Sequence, residues 1–525
     1  MKNKKLYYLL MPLVVVMSSC TIDNVISSDD NSNNPASNIV INDGKPLTLL
    51  VDLNGLMPTT NTEPTEQQPT VFRSIQDIAD EFCKMFPNVT IQWAYSKKSF
   101  GDWAMWMTTQ ISSNDAPNIV MMHGSEYSDR GWYENLNEIM EEPNVFIEQG
   151  KRGSIHWKDQ FPEYMWLSDM TTDAANNICA VPVMCYPGSA TAYYYNKEIF
   201  EELNLSVPTD WEEIKNVCNK INEAGYVAVA PWSLNATPNI DVWDIQYSLG
   251  PTYAKKIIDQ WDYDNNGYMT QNEQLRAVYE GVFYGQGKNI DNILSLYREV
   301  KNKYLNILQT GAASTEYQPL WTEGKVGMVE DGMWRVNEEN VDAARKFDYG
   351  IFPTPLANSK TSKYTSDYVM EQGAYNPPIC ESFNIVKLAS KQKGEAHLLA
   401  SKLFLMWLTV PENIDKMVDE QAGQYVGAVY DSIIPSEVVE YLKRDFPRTP
   451  SCNWTTGVTV ATQTKMSRYF QYWIADKYNN EKFFKNYDKE LRQGCLDMIN
   501  ALNIDVSNWN DGYDPNFDYS TLNGK

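Results

Sequence analysis

Between Leu47 and Gly124 the chain alternates between strand-like and helix-like periodicity, and this limits the fold more than any other feature. "LTLLVDL" (Leu47–Leu53) is an apolar run ending in "NG". Ile75, Ile78, Ala79, Phe82 and Met85 then recur at helical spacing within Val71–Met85. "FPNVTIQWAY" (Phe86–Tyr95) reads as a turn and second strand, and "WAMWMTTQISS" (Trp103–Ser113) as a helix. "APNIVMMHG" (Ala116–Gly124) reads as a buried strand running into a loop. Strand, helix, strand, helix, strand predicts a parallel sheet flanked by helices. A chain of 525 residues leaves room for a second lobe with its own core.

The first twenty residues read "MKNKKLYYLLMPLVVVMSSC". Lys2, Lys4 and Lys5 precede an apolar stretch, Leu6–Met17, that is too short to span a bilayer as a helix. Ser18, Ser19 and Cys20 follow, which resembles a bacterial lipoprotein signal with Cys20 as the lipidated residue, although position −3 is Met17 rather than Leu. Residues 1–19 are therefore expected to be removed, and 20–46, rich in Asn, Ser and Asp, to be a solvated tether. No other stretch is long and apolar enough to span a membrane. Lys and Arg number 44 against 68 Asp and Glu, and the net charge of −24 argues against nucleic acid as a partner. Of eight cysteines, Cys179 and Cys185 are near enough in sequence to pair, but no CxxC or zinc spacing occurs, and buried free thiols are expected for most.

Several further segments, in order, resemble family-1 extracellular solute-binding proteins, which serve ABC importers for sugars. They are "SSNDAPNIVMMHGSEYSDRGWYENL", "ICAVPVMCYPGSATAYYYNKEIFEELNLSVPTDWEEI" (Ile178–Ile214), "LWTEGKVGMVEDGMWRV" (Leu320–Val336), "YGIFPTPL" (Tyr349–Leu356) and "ESFNIVKLASKQKGEAHLLASKLFLMWL" (Glu381–Leu408). One departure is "NDAPN", where Asn118 stands in the usual aspartate place. The resemblance covers about Leu47 to Leu408 and implies an α/β, two-lobed periplasmic-binding-protein fold of type II. Three crossings are expected near Val181, Ile351 and Leu408. The N-terminal lobe would take 47–182 and 355–408. The C-terminal lobe would take 183–354 and 409–525, with a helical insertion at 235–315.

A sugar presents apolar C–H faces and a rim of hydroxyls, so aromatic platforms and planar polar side chains hold it. Ligands sit at the carboxyl ends of sheet strands, which selects the residues that follow each strand. These are Asn54 after the first, His123, Ser125 and Glu126 after the third, and Trp232 after the strand that ends in "APWSLN". Glu126 offers two acceptor oxygens; His123 is one of three histidines. In "EDGMW" the resemblance makes Trp334 a stacking platform beside Asp331, with Arg335 placed to pair with a uronate carboxylate. Glu381 and Tyr425 are expected near the hinge, and Tyr193 from the run Tyr193–Tyr195 is expected to reach the ligand. The competing roles are core packing for the aromatics and a solvated loop for the carboxylates.

"DYDNNGYMTQNE" (Asp262–Glu273) fits the twelve-residue loop D-x-[DN]-x-[DN]-G-x5-E of an EF-hand. Asp262, Asp264, Asn266, the Tyr268 carbonyl, Thr270 and Glu273 fall at positions one, three, five, seven, nine and twelve, and Gly267 permits the sharp turn. Helical apolar faces precede it (Tyr253, Ile257, Ile258, Trp261) and follow it (Leu275, Val278, Val282, Phe283). The expectation is a structural Ca²⁺, as in the alginate- and oligosaccharide-binding branch that the loop resembles. No GxSxG, HExxH, P-loop or dinucleotide fingerprint appears. The sequence thus predicts a non-enzymatic, monomeric, lipid-anchored extracytoplasmic receptor that delivers carbohydrate to an ABC permease. The rivals are a surface glycoside hydrolase and a non-transport glycan-docking lipoprotein.

Overall fold

The computed structural model describes residues 35–63, 65, 71–94, 103–122, 124–186, 191–231, 250–287, 289, 292, 299, 314–354, 357–367, 379–387, 394–421, 423–433, 457–474 and 476–522. Their strands are β1 Leu47–Asp52, β2 Val89–Trp93, β3 Ile119–Met121, β4 Val181–Cys185, β5 Thr191–Asn196, β6 Val227–Pro231, β7 Val326–Gly332, β8 Tyr349–Pro353, β9 Cys380–Ile385 and β10 Val426–Gly427. One sheet has the order β10-β4-β9-β3-β1-β2 and the other β6-β7-β5-β8. In the first, β1 runs parallel to β2 and β3, and β9 lies antiparallel between β3 and β4. Hence β1, β3 and β4 end on one edge. In the second, β6 and β7 are parallel and β5 lies antiparallel between β7 and β8, so β6, β7 and β8 share their carboxyl edge. The chain leaves the first sheet at Cys185 and enters the second at Thr191, which lies opposite Gly332. That short link sets the carboxyl edges of the two sheets side by side.

The helices follow from their apolar spacing. In Ser74–Met85 the buried residues are Ile75, Ile78, Ala79 and Phe82, all on the expected stripe. Its first amides have no local cap. Instead Glu420, from the helix Pro411–Glu420, accepts from the Arg73 and Ser74 N–H groups at 2.5 and 2.9 Å. In the second lobe Trp211–Glu223 is capped by Asp210, which accepts from the Glu213 N–H at 2.9 Å. The long helix Asn480–Leu502 buries Phe483, Phe484, Tyr487, Leu491, Cys495 and Met498 in the second core, together with Leu275 and Val278. Asp488 on this helix is fully buried. It accepts from the Gly285 and Gln286 N–H groups at 2.6 and 3.2 Å and from the Tyr519 hydroxyl at 2.9 Å, tying insertion, helix and tail together. Cys179 and Cys185 are buried free thiols, as are Cys218, Cys380 and Cys495.

The lobe boundaries differ from those expected. β4 belongs to the first sheet through Cys185, so the first lobe does not stop at 182. The second lobe extends beyond 354: Ala357 and Tyr364 pack in its core, and Lys360 Nζ meets Asp210 at 3.3 Å. The third crossing is not near Leu408. Pro411–Glu420 packs on Ser74–Met85, with Lys416 and Glu81 paired at 3.0 Å, and β10 pairs with β4, so residues 411–427 remain in the first lobe. Val458 is in the second core, so the chain crosses between β10 and that residue. Burial, rather than position along the chain, decides these memberships, because the apolar face of Pro411–Glu420 needs the first lobe's helix to cover it.

Behind the second sheet's carboxyl edge lies a buried charge network. Arg335 follows β7 at the start of the helix Arg335–Val341 and is 1 % exposed. It meets Asp331 at 3.2 Å and Glu339 at 2.7 Å, while Arg345 reaches Glu339 at 3.1 Å. Burial pushes the Asp331 carboxyl up to about 7, against the pull of Arg335 and of the Gly332 N–H. Burial opposes the Arg335 charge, but Glu339 and Asp331 outweigh it and hold the guanidinium above its usual value. Arg335→Ala would leave Asp331 buried without this cation and is expected to cost about 3–5 kcal/mol of stability. Urea unfolding measures it; a loss below about 1 kcal/mol would mean that Arg335 is not the counter-charge of this network.

Candidate functional site

Where the two carboxyl edges meet, three elements of the first lobe and one of the second bring two tyrosines, a glutamate and a tryptophan together. Tyr186 is the first residue after β4, Glu381 lies in β9, and Tyr425 immediately precedes β10. The Tyr186 hydroxyl donates to Glu381 Oε1 at 2.6 Å and the Tyr425 hydroxyl donates to the same oxygen at 2.9 Å. The two hydroxyl oxygens stand 3.2 Å apart and the two rings 4.9 Å apart. Burial and the Glu381 charge hold both phenols well above their usual values, so they remain protonated donors. From the second lobe, Trp334 sets its half-buried ring edge-on to Tyr186, with centroids 6.2 Å apart at 72°. Its place depends on Gly332, where a Cβ would lie 2.3 Å from the indole. The Tyr194 hydroxyl donates to the Gly332 carbonyl at 2.8 Å and fixes that turn.

Of the residues singled out in the sequence, the structure brings together Trp334, Glu381 and Tyr425. Tyr425 does so from the first lobe, not the second. Tyr186 was missed, although it follows β4 at the same edge as Asn54 follows β1; the rule that selected Asn54 finds it too. Asn54 is exposed, at a left-handed φ of 48°, and its N–H donates to Asp52 Oδ1 at 3.2 Å. Ser125 is buried in the loop after β3, where its N–H donates to the Asp169 carbonyl at 3.0 Å. Glu126 lies in the same loop, beside Tyr127 and Tyr133; both phenols are raised by burial first and by its charge second. Tyr127 stacks on Trp103 at 5.4 Å and stands 5.5 Å from Trp132, an aromatic group belonging to the first lobe.

Three expectations are corrected. Tyr193 is a core residue: it is fully buried and stacks on Phe352 at 5.2 Å and 8°, because its side chain falls on the helix-covered face of β5. Asp331 and Arg335 are partners of each other rather than ligand groups, since both are almost wholly buried. His123, Trp232 and Cys20 lie outside the described residues, as do 235–249 and nearly all of 288–313 in the expected insertion.

That central part carries the acidic loop. Oxygens of Asp262, Asp264 and Glu273 lie within 4.8 Å of one another. Gly267 adopts φ 84°, which the turn requires. Thr270 is the N-cap of the helix Gln271–Tyr279, and Glu273 completes a capping box, its Oε2 accepting from the Thr270 hydroxyl at 2.9 Å. Glu273 Oε1 accepts from the Tyr263 N–H at 2.8 Å, and Asp262 Oδ2 accepts from the Gly267 N–H at 3.2 Å. Asn266 bonds Asp264 Oδ2 through its amide nitrogen at 2.9 Å. Burial raises Asp262 and Glu273, and Asp264 adds to both shifts, so the loop gathers three carboxylates that repel one another. This donor set of hard oxygens fits Ca²⁺. Asn272, within the loop, donates to the carbonyl of Ala174 at 2.7 Å, a contact with the segment that precedes β4.

No curated protein matches the chain. Among solved structures, a protein described as a chitin oligosaccharide binding protein superposes with a TM-score of 0.55 at 17% identity, over 81% of this chain and 95% of its own. A protein solved in work on xylan utilization by Caldanaerobius polysaccharolyticus gives 0.52 at 15% identity, covering 85% and 99%. RafE in complex with raffinose gives 0.50 at 16% identity, covering 86% and 99%. These likenesses show a shared two-lobed α/β fold. Residues 66–413 match the family of bacterial extracellular solute-binding proteins, and the chain belongs to that family.

Proposed function

We propose that this protein is the carbohydrate receptor of an ABC importer, anchored outside the cytoplasm by lipid on Cys20. The observation that carries the reading is the meeting of Trp334 with Tyr186, Glu381 and Tyr425 across the two carboxyl edges. An indole face and a hydrogen-bonded carboxylate are what a sugar's C–H face and hydroxyls need. Solved relatives of the same fold are described with chitin oligosaccharide and with raffinose, which supports the ligand class. Ligand contacts to both lobes would favour the closed arrangement, which a permease then recognises. The reading includes no covalent step.

The expected outcome is that neutral or amino-bearing oligosaccharides raise the unfolding temperature and reduce the radius of gyration in small-angle scattering. Trp334→Ala should weaken binding by about 2 kcal/mol, roughly thirtyfold. A broad panel of sugars that leaves both temperature and radius unchanged would sink the reading.

The loop Asp262–Glu273 is assigned a structural Ca²⁺ held by Asp262, Asp264, Asn266, the Tyr268 carbonyl, Thr270 and Glu273. The supporting observations are the convergent carboxylates and the complete side-chain pattern. Bound calcium would join Gln271–Tyr279 to the segment before it and so brace the second lobe. At one hundred times its dissociation constant, calcium should add about 2.7 kcal/mol to stability. Chelator should remove that gain, and Asp262→Ala should abolish it. Unchanged unfolding with chelator, and no calcium in the purified protein, would refute the assignment.

A further inference from the structure

We infer that Cys185 and Cys380 form a disulfide that staples β4 to β9, where the chain leaves the first lobe and where it returns. The inference does not depend on the ligand; it needs only the extracytoplasmic side on which this family works. The two residues are partners in the antiparallel ladder, Cys185 opposite Cys380. The next rung carries a ladder hydrogen bond, from the Tyr186 N–H to the Ile379 carbonyl at 3.1 Å. Cys185 and Cys380 are therefore a non-hydrogen-bonded pair, whose side chains leave the sheet on the same face with Cα atoms about 4.5 Å apart. A disulfide spans a Cα separation of roughly 4.4–6.8 Å, so side-chain rotation closes the bond without a shift of either strand. The structure holds both residues as thiols in the first core, at 3 % and 0 % exposure. Cys185 Sγ stands 4.0 Å from Met165 Sδ and Cys380 Sγ 3.2 Å from the Ser382 hydroxyl, contacts that the bond would replace. Among the described residues no other two cysteines face each other in a ladder. Cys83, Cys218 and Cys495 lie on helices, and Cys179 belongs to a separate cluster with Trp103 and Tyr127.

Disulfides form and persist outside the cytoplasm. The oxidant here is itself a disulfide, of a small thiol or of a thiol oxidoreductase. One cysteine thiolate attacks it, giving a mixed disulfide and releasing one thiol. The second thiolate attacks the sulfur of the first; the Cys185–Cys380 bond forms and a second thiol leaves. Two electrons pass from the pair to the oxidant, and the two protons end on the released thiols. Burial shuts the pair away from oxidants once the lobe is folded, so the exchange belongs to folding, while β9 docks on β4. Between the two cysteines the chain builds β5 to β8, so the bond turns that excursion into a covalent loop rooted at one point on the first sheet. Tyr186 and Glu381 directly follow the two cysteines and leave the sheet on its other face, where they bond at 2.6 Å. The staple thus fixes the strand ends that carry both.

The test uses the unaltered chain exported into an oxidising bacterial periplasm. Thiols are blocked with iodoacetamide in denaturant at lysis, and linked peptides are mapped by mass spectrometry. The expected result is a peptide joining Cys185 to Cys380 that reductant separates, with an unfolding temperature about 5 °C lower in reductant. The Cys185→Ser, Cys380→Ser double variant should show no such response to reductant. Alkylation of both cysteines as thiols, or linkage of either one to a different cysteine, would overturn the inference and leave the carbohydrate reading standing. An equal response to reductant in the unaltered chain and the double variant would also count against it. Peptide mapping on the unaltered chain is decisive even if the variant does not fold.

Discussion

The guanidinium of Arg335 is the interaction on which the site depends. It sits between Asp331 at the end of β7 and Glu339 one turn into the next helix, with all three side chains buried. A buried charge set of this kind is costly to disturb, so the turn from strand to helix is held in one geometry. Gly332 and Trp334 lie within that turn. The glycine leaves room for the indole, and the indole then faces Tyr186 across the hinge. Without this network the turn that carries Trp334 would lose its fixed geometry.

On the first lobe the equivalent work falls to Glu381. One carboxylate oxygen binds the hydroxyls of residues from two other strand ends, so β4, β9 and β10 are cross-linked at their shared edge. The two networks differ in sign. The second lobe's acids are neutralised internally by arginines; Glu381 meets only phenols among the described residues.

The helical additions give the second lobe a different task. The acidic loop leads into Gln271–Tyr279, which packs with Asn480–Leu502 in one core, and Asp488 fastens the tail to the same helix. That helix also reaches the first lobe: Met498 Sδ lies 3.8 Å from the Ser128 hydroxyl. Asn337 on the second lobe donates to Gln421 on the first at 2.7 Å. The lobes therefore touch away from the aromatic site as well as at it, so a brace within the second lobe bears on how the two lobes meet.

Local periodicity was enough to place the elements. The stripe Ile75, Ile78, Ala79 and Phe82, the strands β1, β2 and β3, and the turn chemistry of Asp262–Glu273 are set by neighbours a few residues apart. The order of motifs also pointed to two lobes; the family resemblance led to Trp334, and the expected place of the hinge led to Glu381. Lobe membership was not legible, because Pro411–Glu420 is amphipathic in either lobe and only its partner helix decides. The same holds for single side chains. Tyr193, Tyr194 and Tyr195 are alike in sequence, but the pleat sends Tyr193 onto Phe352 and Tyr194 onto the Gly332 carbonyl. Arg335 and Glu381 are both charged residues near strand ends. The sequence by itself determined which elements form and which residue types lie at their carboxyl ends, since those depend on local spacing. Only the tertiary structure decided that Arg335 is spent on Asp331 and Glu339 while Glu381 is not matched by a cation among the described residues, because charge compensation depends on what folding brings within a few ångströms.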